Sequence, residues 1–275
     1  MWQNILKRRV GGLKHYSKRS LKKIVYLPDT IKHRLGYQDS LVPPKWLRFD
    51  SQTDFEEVGE HLLSLCQSFG ELTPQSSVLD VGCGVGRLAI PISRFISHAG
   101  HYAGFDVDRE AIDWCTSAFR AKSANTTFTC VEVANEHYSS VGGQSAAEFR
   151  FPYEDECFDL VVATSVFTHL LSDDARGYLK EVQRVLKPEG IALTTWYLVD
   201  ERILRSPNSK FTHSVDQVSW TDTPVNPCSK MGFDHTAVVC WHKQAGFSGP
   251  INIHPGTWVN PEGPTFQDLI VASKH

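Results

Sequence analysis

The chain has 275 residues, of which 41% are hydrophobic, and its formal net charge at pH 7 is −3. This length suits one large domain or a domain with extensions, and the apolar content is sufficient for a sizeable core. No apolar run approaches the ~20 residues that cross a bilayer, and no nucleic-acid-binding motif appears, so nucleic acid is not an expected partner.

The cysteine pattern indicates reduced thiols. The seven cysteines are odd in number, none lies in a C-x-x-C pair, and no secretory signal is visible. Such a pattern is typical of a protein that stays in a reducing compartment. We therefore expect a cytoplasmic protein with mostly core thiols.

The N-terminal region differs in charge from the rest of the chain. Residues 1–36, called the basic arm below, hold ten Lys or Arg and one acid, for a net charge of +9. The remaining 239 residues hold 18 bases and 30 acids, for a net charge of −12. Apolar residues lie among the bases of the arm: Leu6, Val10, Leu13, Leu21, Ile24 and Val25.

Three interpretations of the basic arm stay open. A basic amphipathic segment can contact an anionic membrane surface, in which case the acidic remainder of the chain would face away from the lipid. The arm is equally compatible with a solvated tail. Because residues 1–28 lack acids, a mitochondrial transit peptide is the third interpretation. We assign residues 1–49 to this extension and residues 50–275 to the main domain.

The main domain is expected to begin with a helix. Thr53-Asp54-Phe55-Glu56 has the pattern of a capping box, which predicts a helix start. Apolar residues then recur at helical spacing and would share one face, namely Phe55, Val58, Leu62, Cys66 and Phe69. Gly70 is expected to end this helix.

The stretch from Val78 to Leu88 predicts a ligand-binding loop. It reads Val-Leu-Asp-Val-Gly-Cys-Gly-Val-Gly-Arg-Leu, an apolar run followed by alternate glycines and a helical pattern. We expect a buried strand, a tight turn and a helix start. Because glycine lacks a Cβ, Gly82, Gly84 and Gly86 can adopt positive φ and let a ligand lie against the backbone. The free N–H groups of the helix start would face that ligand.

Alternating strands and helices follow, which indicates a parallel sheet with helices on both faces. The predicted strands are His101–Phe105, Phe128–Val133, Phe158–Thr164 and Ile191–Leu198, with closing strands at Ile251–Ile253 and Phe266–Ala272. The predicted helices start at Asp108 and Ser172, which act as N-caps, and at Phe233, with Gly246 ending the last one.

Asp106 is the second candidate binding residue. It lies at the end of the second strand, where a carboxylate can accept hydrogen bonds from a ribose diol of NAD or of S-adenosylmethionine. The dinucleotide fingerprint would place its third glycine at position 87, which is Arg87. The third glycine is Gly86 instead, and Asp80 precedes the first glycine by two residues. This spacing disfavours an NAD-dependent oxidoreductase.

The D-x-G-x-G-x-G pattern resembles motif I of the class I S-adenosylmethionine-dependent methyltransferases. Further stretches resemble a branch of that family near methyltransferase types 11 and 25: Leu41–Asp50, Gly104–Asp106, Phe151-Pro152, Phe158–Val161, Ser165–Leu170, Leu186–Gly190 and Phe266–Ala272. One departure is Glu189, where the family often has glycine in a turn. The resemblance implies an α/β fold, a Rossmann-like three-layer sandwich with a seven-stranded, mostly parallel sheet whose last strand is antiparallel.

The resemblance also implies S-adenosylmethionine as the cofactor. Asp80 would hold its amino group directly or through water, Asp106 its ribose, and Glu132 its adenine, with Asn135 as the alternative if the strand is longer. The implied cofactor-binding residues are Asp80, Gly82, Cys83, Gly84, Gly86, Asp106, Val107, Glu132, Val133 and Thr164.

An acceptor site is expected near the loops after strands four and five of this fold. The cofactor's methyl group is already activated, so the protein mainly aligns a nucleophile with it. A hydroxyl acceptor also needs a base, and histidine suits neutral pH. We predict His169 as that base, with His213 and His235 as alternatives, and residues 200–235 as a lid-like insertion. The predicted acceptor-contacting residues are Trp196, Tyr197, His213 and Trp258.

The sequence leaves the acceptor class open. No metal site stands out, and no Asn-Pro-Pro-Tyr-type motif of amine or base methylation follows the fourth strand. This absence favours methylation of an oxygen on a small molecule, a glycan or a lipid-linked acceptor. A protein that binds the cofactor without turnover is the main alternative, and an oxidoreductase is the less favoured one.

Overall fold

The computed structural model describes residues 19–37, 39, 41–48, 54–134 and 144–275, except the side chains of Arg34, Ala134 and Gln144. The helices are α1 Leu27–Arg34, α2 Phe55–Phe69, α3 Ala89–Phe95, α4 Arg109–Phe119, α5 Ser172–Val185, α6 Glu201–Leu204 and α7 His235–Ala245. The strands are β1 Ser77–Val81, β2 His101–Asp106, β3 Thr126–Cys130, β4 Val133–Ala134, β5 Gln144–Ser145, β6 Phe158–Ala163, β7 Leu186–Trp196, β8 Leu198–Val199, β9 His213–Ser214, β10 Ser219–Thr221, β11 Met231–Asp234, β12 Ile251–His254 and β13 Asp268–Ser273.

Seven strands form the main sheet, in the order β12-β13-β7-β6-β1-β2-β3. The pairs β1–β2, β2–β3, β1–β6 and β6–β7 are parallel, whereas β13 is antiparallel to both of its neighbours. The predicted sheet with an antiparallel last strand is therefore confirmed. The chain leaves β1 towards β2 on one side and returns to it through β6 on the other. A crevice thus opens at the carboxyl end of β1, where α/β folds bind their ligands.

Helices cover both faces of this sheet. Leu79 and Val81 of β1 join a buried cluster with α5 and α7, which contribute Leu179 and Val238 among others. Val78 points to the opposite cluster, which includes residues of α2 and α3. The side chains of a strand alternate between its two faces, so this division gives the predicted three layers.

A second, four-stranded sheet has the order β8-β11-β10-β9, and its strands β9, β10 and β11 lie in the predicted lid, residues 200–235. Its strand β11 brings Met231 and Phe233 into the main core cluster, where both are fully buried. The segment is therefore packed on the domain in this structure. Its function as a lid stays a prediction.

Several predicted element boundaries are wrong for identifiable reasons. The strand β3 begins at Thr126, which pairs with Tyr102, and ends at Cys130, so Glu132 lies beyond the strand. The predicted start of the last helix at Phe233 is instead the strand β11, and Asp234 caps α7 by accepting the N–H of Ala237.

Two predicted caps also differ. The N-cap of α2 is Asp54, whose carboxylate accepts the N–H groups of Glu56 and Glu57, while Thr53 lies outside the described residues. Ser172 is the first residue of α5 and not its cap. Its hydroxyl donates to Asp216 at 2.6 Å, because β9 and β10 bring that carboxylate close.

Other boundaries shift at the edges of β7 and β13. The strand β7 begins at Leu186, before the predicted Ile191, and Leu198 belongs to the second sheet. The strand β13 begins at Asp268, and Phe266 is exposed. The predicted N-cap Asp108 and C-cap Gly246 are confirmed.

The described part of the basic arm is helical. Residues 19–25 are helical, and α1 follows after Tyr26. No helix among the described residues is long and apolar enough to cross a membrane. Leu6, Val10 and Leu13 lie outside the described residues. Arg19 and Lys23 of the arm face acids of the main domain, Asp108 and Glu110. The expected orientation of the acidic domain away from a lipid surface stays a prediction.

Candidate functional site

The glycine loop at the carboxyl end of β1 has the conformation that its sequence requires. Gly82, Gly84 and Gly86 have φ values of +70°, +52° and +77°. A Cβ on Gly82 would lie 2.7 Å from Val166, and one on Gly86 would lie 3.1 Å from Cys115, whereas one on Gly84 would meet nothing within 4 Å. The outer glycines therefore permit close packing. Gly84 is the glycine that offers open backbone to a ligand.

The carboxylate of Asp106 ties this loop to the end of β2. Its Oδ2 accepts the N–H of Gly84 at 2.8 Å, and its Oδ1 accepts the N–H of Asp108 at 2.8 Å. Burial raises the pKa of Asp106, and the two backbone hydrogen bonds oppose that rise. Each carboxylate oxygen has a further lone pair, so Asp106 can hold the loop and still accept from a diol.

Asp80 is a second buried carboxylate below the loop. Its Oδ2 accepts the hydroxyl of Tyr102 at 2.7 Å. Burial raises the pKa of Asp80 to about 7, the Tyr102 hydrogen bond opposes this, and the charge of Asp106 adds to it. No Lys, Arg or His in the described ranges forms an ion pair with either acid. Two acids shielded from solvent in this way, with no countercharge among the described residues, favour a cationic ligand and disfavour an anionic one.

The remaining predicted cofactor residues are placed less decisively. The thiol of Cys83 packs against the backbone of Gly104, where a Cβ would lie 2.8 Å from the sulfur. Cys83 would therefore contact a ligand in the loop through its backbone and not through its thiol. Val107 is half-buried, and Val133 is buried. The Glu132 side chain is 78% exposed and lies 3.9 Å from Arg109. Its adenine contact stays a prediction, and Asn135 lies outside the described residues.

A polar network lies after β6, beside the predicted position Thr164, which is half-buried. Ser165 has a φ of +57°, its N–H donates to Thr195 Oγ1 at 2.8 Å, and its hydroxyl donates to Gln267 Oε1 at 3.1 Å. Thr195 donates to the same Gln267 oxygen at 2.6 Å. The network holds an exposed serine hydroxyl at the carboxyl ends of β6 and β7.

His169 lies one short 3-10 helix further along, at Phe167–His169, and is half-buried. Its Nδ1 lies 2.9 Å from the carbonyl oxygen of Cys228. A carbonyl can only accept, so Nδ1 must carry the proton and neutral His169 presents Nε2 as a base. Burial lowers the pKa of His169, the Cys228 bond opposes this, and the charge of Lys230 lowers it further. The neutral form is therefore favoured near pH 7.

Two of the four predicted acceptor contacts come together. The rings of Tyr197 and Trp258 are perpendicular, with centroids 5.2 Å apart, and Phe211 packs against both. His213 lies on the exposed edge strand β9 and contacts Thr212. The structure does not bring His213 to this aromatic cluster by any contact between described residues.

The predicted acceptor contact of Trp196 is not supported. Its side chain is fully buried, its ring stacks on Phe167 at 4.2 Å, and its Nε1 donates to Thr194 at 2.8 Å. Trp196 is therefore part of the core. The alternation of side chains along β7 explains this, because Thr195 and Tyr197 point the other way.

Sequence reasoning missed Tyr102, Thr195 and Gln267. Tyr102 lies two residues before Gly104, which pairs with Asp80 in the adjacent parallel strand, so strand alternation could have placed Tyr102 on the face of Asp80. Gln267 directly precedes the antiparallel strand β13, and its contacts depend on a pairing that the sequence does not reveal. Within the described ranges, no group of three or more His, Cys, Asp or Glu side chains could hold a metal ion.

Residues 79–194 match a family model described as "Methyltransferase domain". This range begins in β1, ends in β7, and includes the glycine loop, Asp106 and His169. Curated relatives also match part of the chain. A Haemophilus influenzae uncharacterized protein is 31% identical over 46% of this chain and 44% of its own length.

The names of two further relatives state different acceptor atoms, oxygen in one and carbon in the other. The O-methyltransferase rstn1 of Aspergillus nomiae is 26% identical over 56% of this chain and 57% of its own length. The sterol 24-C-methyltransferase ERG6B of Gibberella zeae is 27% identical over 66% of this chain and 43% of its own length. The chain thus spans less than two thirds of the length of each of these relatives.

A solved structure agrees with the fold. A SAM-dependent methyltransferase from Methanosarcina mazei superposes with a TM-score of 0.50 over 76% of this chain and 96% of that chain, at 19% identity. The sheet order, the conformation of the glycine loop and the family match agree with one another. Residues 79–194 thus match a methyltransferase domain, and the chain has the Rossmann-like fold of the S-adenosylmethionine-dependent methyltransferase structure.

Proposed function

We propose that this protein transfers a methyl group from S-adenosylmethionine to an oxygen atom of a small-molecule, glycan or lipid-linked acceptor. The observation that carries the cofactor assignment is the pair of acids, buried Asp80 and half-buried Asp106, beside the open backbone of Gly84. Asp80 fits the cationic amino group of S-adenosylmethionine, and Asp106 fits its ribose diol. A dinucleotide would instead bring an anionic pyrophosphate to the loop above Asp80.

When bound, S-adenosylmethionine supplies a methyl group that needs no further activation. The residues of the chain then have to hold an acceptor oxygen in line with it and remove its proton. The polar network of Ser165, Thr195 and Gln267 and the aromatic pair of Tyr197 and Trp258 offer complementary surfaces for that acceptor. The proposed pocket suits an acceptor with a hydroxyl next to an apolar or ring-containing portion.

His169 supports oxygen as the methylated atom. Its hydrogen bond to the Cys228 carbonyl orients the ring with Nε2 as the acceptor, and its lowered pKa keeps that nitrogen unprotonated at neutral pH. An already ionised acceptor would not need such a base. We therefore assign His169 as the general base for a hydroxyl acceptor, with His213 and His235 as the alternatives.

Labelled methyl transfer tests this proposal. The protein is incubated with methyl-labelled S-adenosylmethionine and fractionated extract from its source organism, and the labelled species is identified by mass spectrometry. We expect a new O-methyl group on a hydroxyl-bearing acceptor. A label on carbon or nitrogen would contradict the acceptor class, and retention of bound cofactor without any labelled product would favour a binding protein.

The purified acceptor then tests His169. We expect His169→Ala to lower turnover by about 10²–10⁴-fold while S-adenosylhomocysteine binding is retained. His169→Asn is the matched variant, because an amide N–H can still donate to the Cys228 carbonyl but cannot serve as a base, and it should lose as much turnover. The exposed His213→Ala should retain activity. The reverse pattern would transfer the role to His213.

A further inference from the structure

The N-terminal helical segment, residues 19–34, has its polar face against the main domain and its apolar face exposed. Residues 19–25 and α1 are nearly continuous, because backbone hydrogen bonds of helical spacing join them. The N–H of Tyr26 donates to the carbonyl oxygen of Lys22 at 2.9 Å, and the N–H of Thr30 donates to the carbonyl oxygen of Tyr26 at 3.0 Å. A surface helix normally buries its apolar face and exposes its polar one. The reversed arrangement therefore points to an interaction surface.

Charged contacts fix the polar face on the domain. Arg19 donates to both carboxylate oxygens of Asp108, at 3.0 and 2.5 Å, and lies 3.1 Å from Glu110. Lys23 lies 2.8 Å from Glu110 and 4.4 Å from the centre of the Trp46 ring. The Arg19 side chain is only 16% exposed, so this contact is partly shielded from solvent. Rotation of the helix to bury its apolar face would break these contacts.

The opposite face is a row of large apolar side chains in solvent. We call these residues the apolar row, and their exposed fractions are Leu21 62%, Ile24 72%, Val25 69%, Ile31 48% and Leu35 67%. Their spacing follows the 3.6-residue helical repeat, so they lie along one side of the segment. They are the size and shape of side chains that insert between lipid headgroups.

The segment that carries the apolar row has a positive net charge in its sequence. Residues 19–36 hold five bases and one acid, and Lys32 is exposed. Bases beside apolar side chains complement anionic headgroups above acyl chains. A second copy of the same face would bring like charges together. We propose that the apolar row inserts into the surface of an anionic lipid bilayer.

This docking would also orient the cofactor site. Arg19 contacts Asp108, whose N–H donates to Asp106 at 2.8 Å. The helical segment therefore lies beside the loop that follows β2. Insertion of the apolar row would hold the proposed ribose-binding edge within about one helix diameter, ~10 Å, of the lipid surface. The inference concerns attachment and does not rest on methyl transfer.

Vesicle co-sedimentation of the full chain tests the proposal. The protein is mixed at low salt with vesicles of equimolar phosphatidylglycerol and phosphatidylcholine, or of phosphatidylcholine alone. We expect binding to the anionic vesicles only. The double variant Ile24→Gln/Val25→Gln keeps every charge and should bind at least about tenfold more weakly, because two inserting side chains are lost.

A matched control separates insertion from general surface polarity. Val225→Gln/Val259→Gln replaces two other exposed valines, 92% and 42% accessible, and should bind vesicles like the parent. All three proteins should bind S-adenosylhomocysteine equally, so a failure of the cofactor assignment would be seen separately. Unchanged binding by the Ile24→Gln/Val25→Gln variant, or no binding to anionic vesicles, would overturn the proposal. In the second case, a sedimentation-detected dimer that this variant loses would identify a second copy as the occupant.

Discussion

The buried carboxylate of Asp80 should make cofactor affinity depend on pH. Its pKa of about 7 in the free protein means that much of it is protonated at pH 5.5 and most of it ionised at pH 7.5. The ionised form should bind the protonated amino group of S-adenosylhomocysteine. If only that form binds, the apparent dissociation constant is inversely proportional to the ionised fraction, and lowering the pH from 7.5 to 5.5 should weaken binding about 25-fold.

Two variants assign this dependence to Asp80. Asp80→Asn removes the titrating group, so binding should be weaker at pH 7.5 and much less dependent on pH, with any remaining slope due to Asp106. Tyr102→Phe keeps the carboxylate but removes the hydrogen bond that lowers its pKa. The midpoint of the pH dependence should therefore move to higher pH in this variant.

Isothermal titration calorimetry between pH 5.5 and 7.5 measures these effects. Repeating the titrations in buffers with different ionisation enthalpies would count the protons released on binding, and we expect release near pH 6.5. Affinity that is constant over this range, or an Asp80→Asn variant with the parental pH dependence, would refute the assignment of Asp80 to the amino group.

Three further predictions concern the same site. Without cofactor, Asp80 binds its proton more tightly in the native protein than in the unfolded chain. Its contribution to the unfolding free energy therefore falls as the pH rises from about 4 to 7. Asp80→Asn should raise the unfolding free energy at pH 8 by about 2–4 kcal/mol, measured by urea denaturation. Gly84→Val should fold with about 1–2 kcal/mol of backbone strain and lose S-adenosylhomocysteine binding. The matched control Gly36→Val, also at positive φ in open space, should keep that binding. Normal binding by folded Gly84→Val would show that the loop is only a turn. Asp106→Asn should weaken binding at least about tenfold, since a charge-assisted acceptor is lost, and unchanged calorimetric affinity would reject Asp106 as the ribose ligand.

The parts of the fold that local sequence determines were predictable. The glycine loop needs residues that tolerate positive φ, and Gly82, Gly84 and Gly86 adopt it. The N-cap role of Asp108 follows from its own side chain, which accepts the N–H of Ala111. The order of strands and helices followed from their alternation and from the family resemblance.

The parts that depend on distant contacts were not predictable. Thr195 and Trp196 are both buried on opposite faces of β7, and only their packing shows that Thr195 joins the network of Gln267 while Trp196 joins the main core cluster. The proton position on His169 depends on the carbonyl of Cys228, 59 residues later in the chain. Arg19 of the N-terminal helical segment pairs with Asp108 and Glu110, about 90 residues later in the chain, a contact that the charge distribution alone does not reveal.

The central claim is that the loop from Asp80 to Gly86 binds S-adenosylmethionine and not a dinucleotide. Calorimetric titration of the full chain at pH 7.5 with S-adenosylhomocysteine, and separately with NAD, tests it most directly. We expect saturable binding of S-adenosylhomocysteine that Gly84→Val abolishes, and no measurable heat from NAD. Binding of NAD with no binding of S-adenosylhomocysteine would contradict the claim.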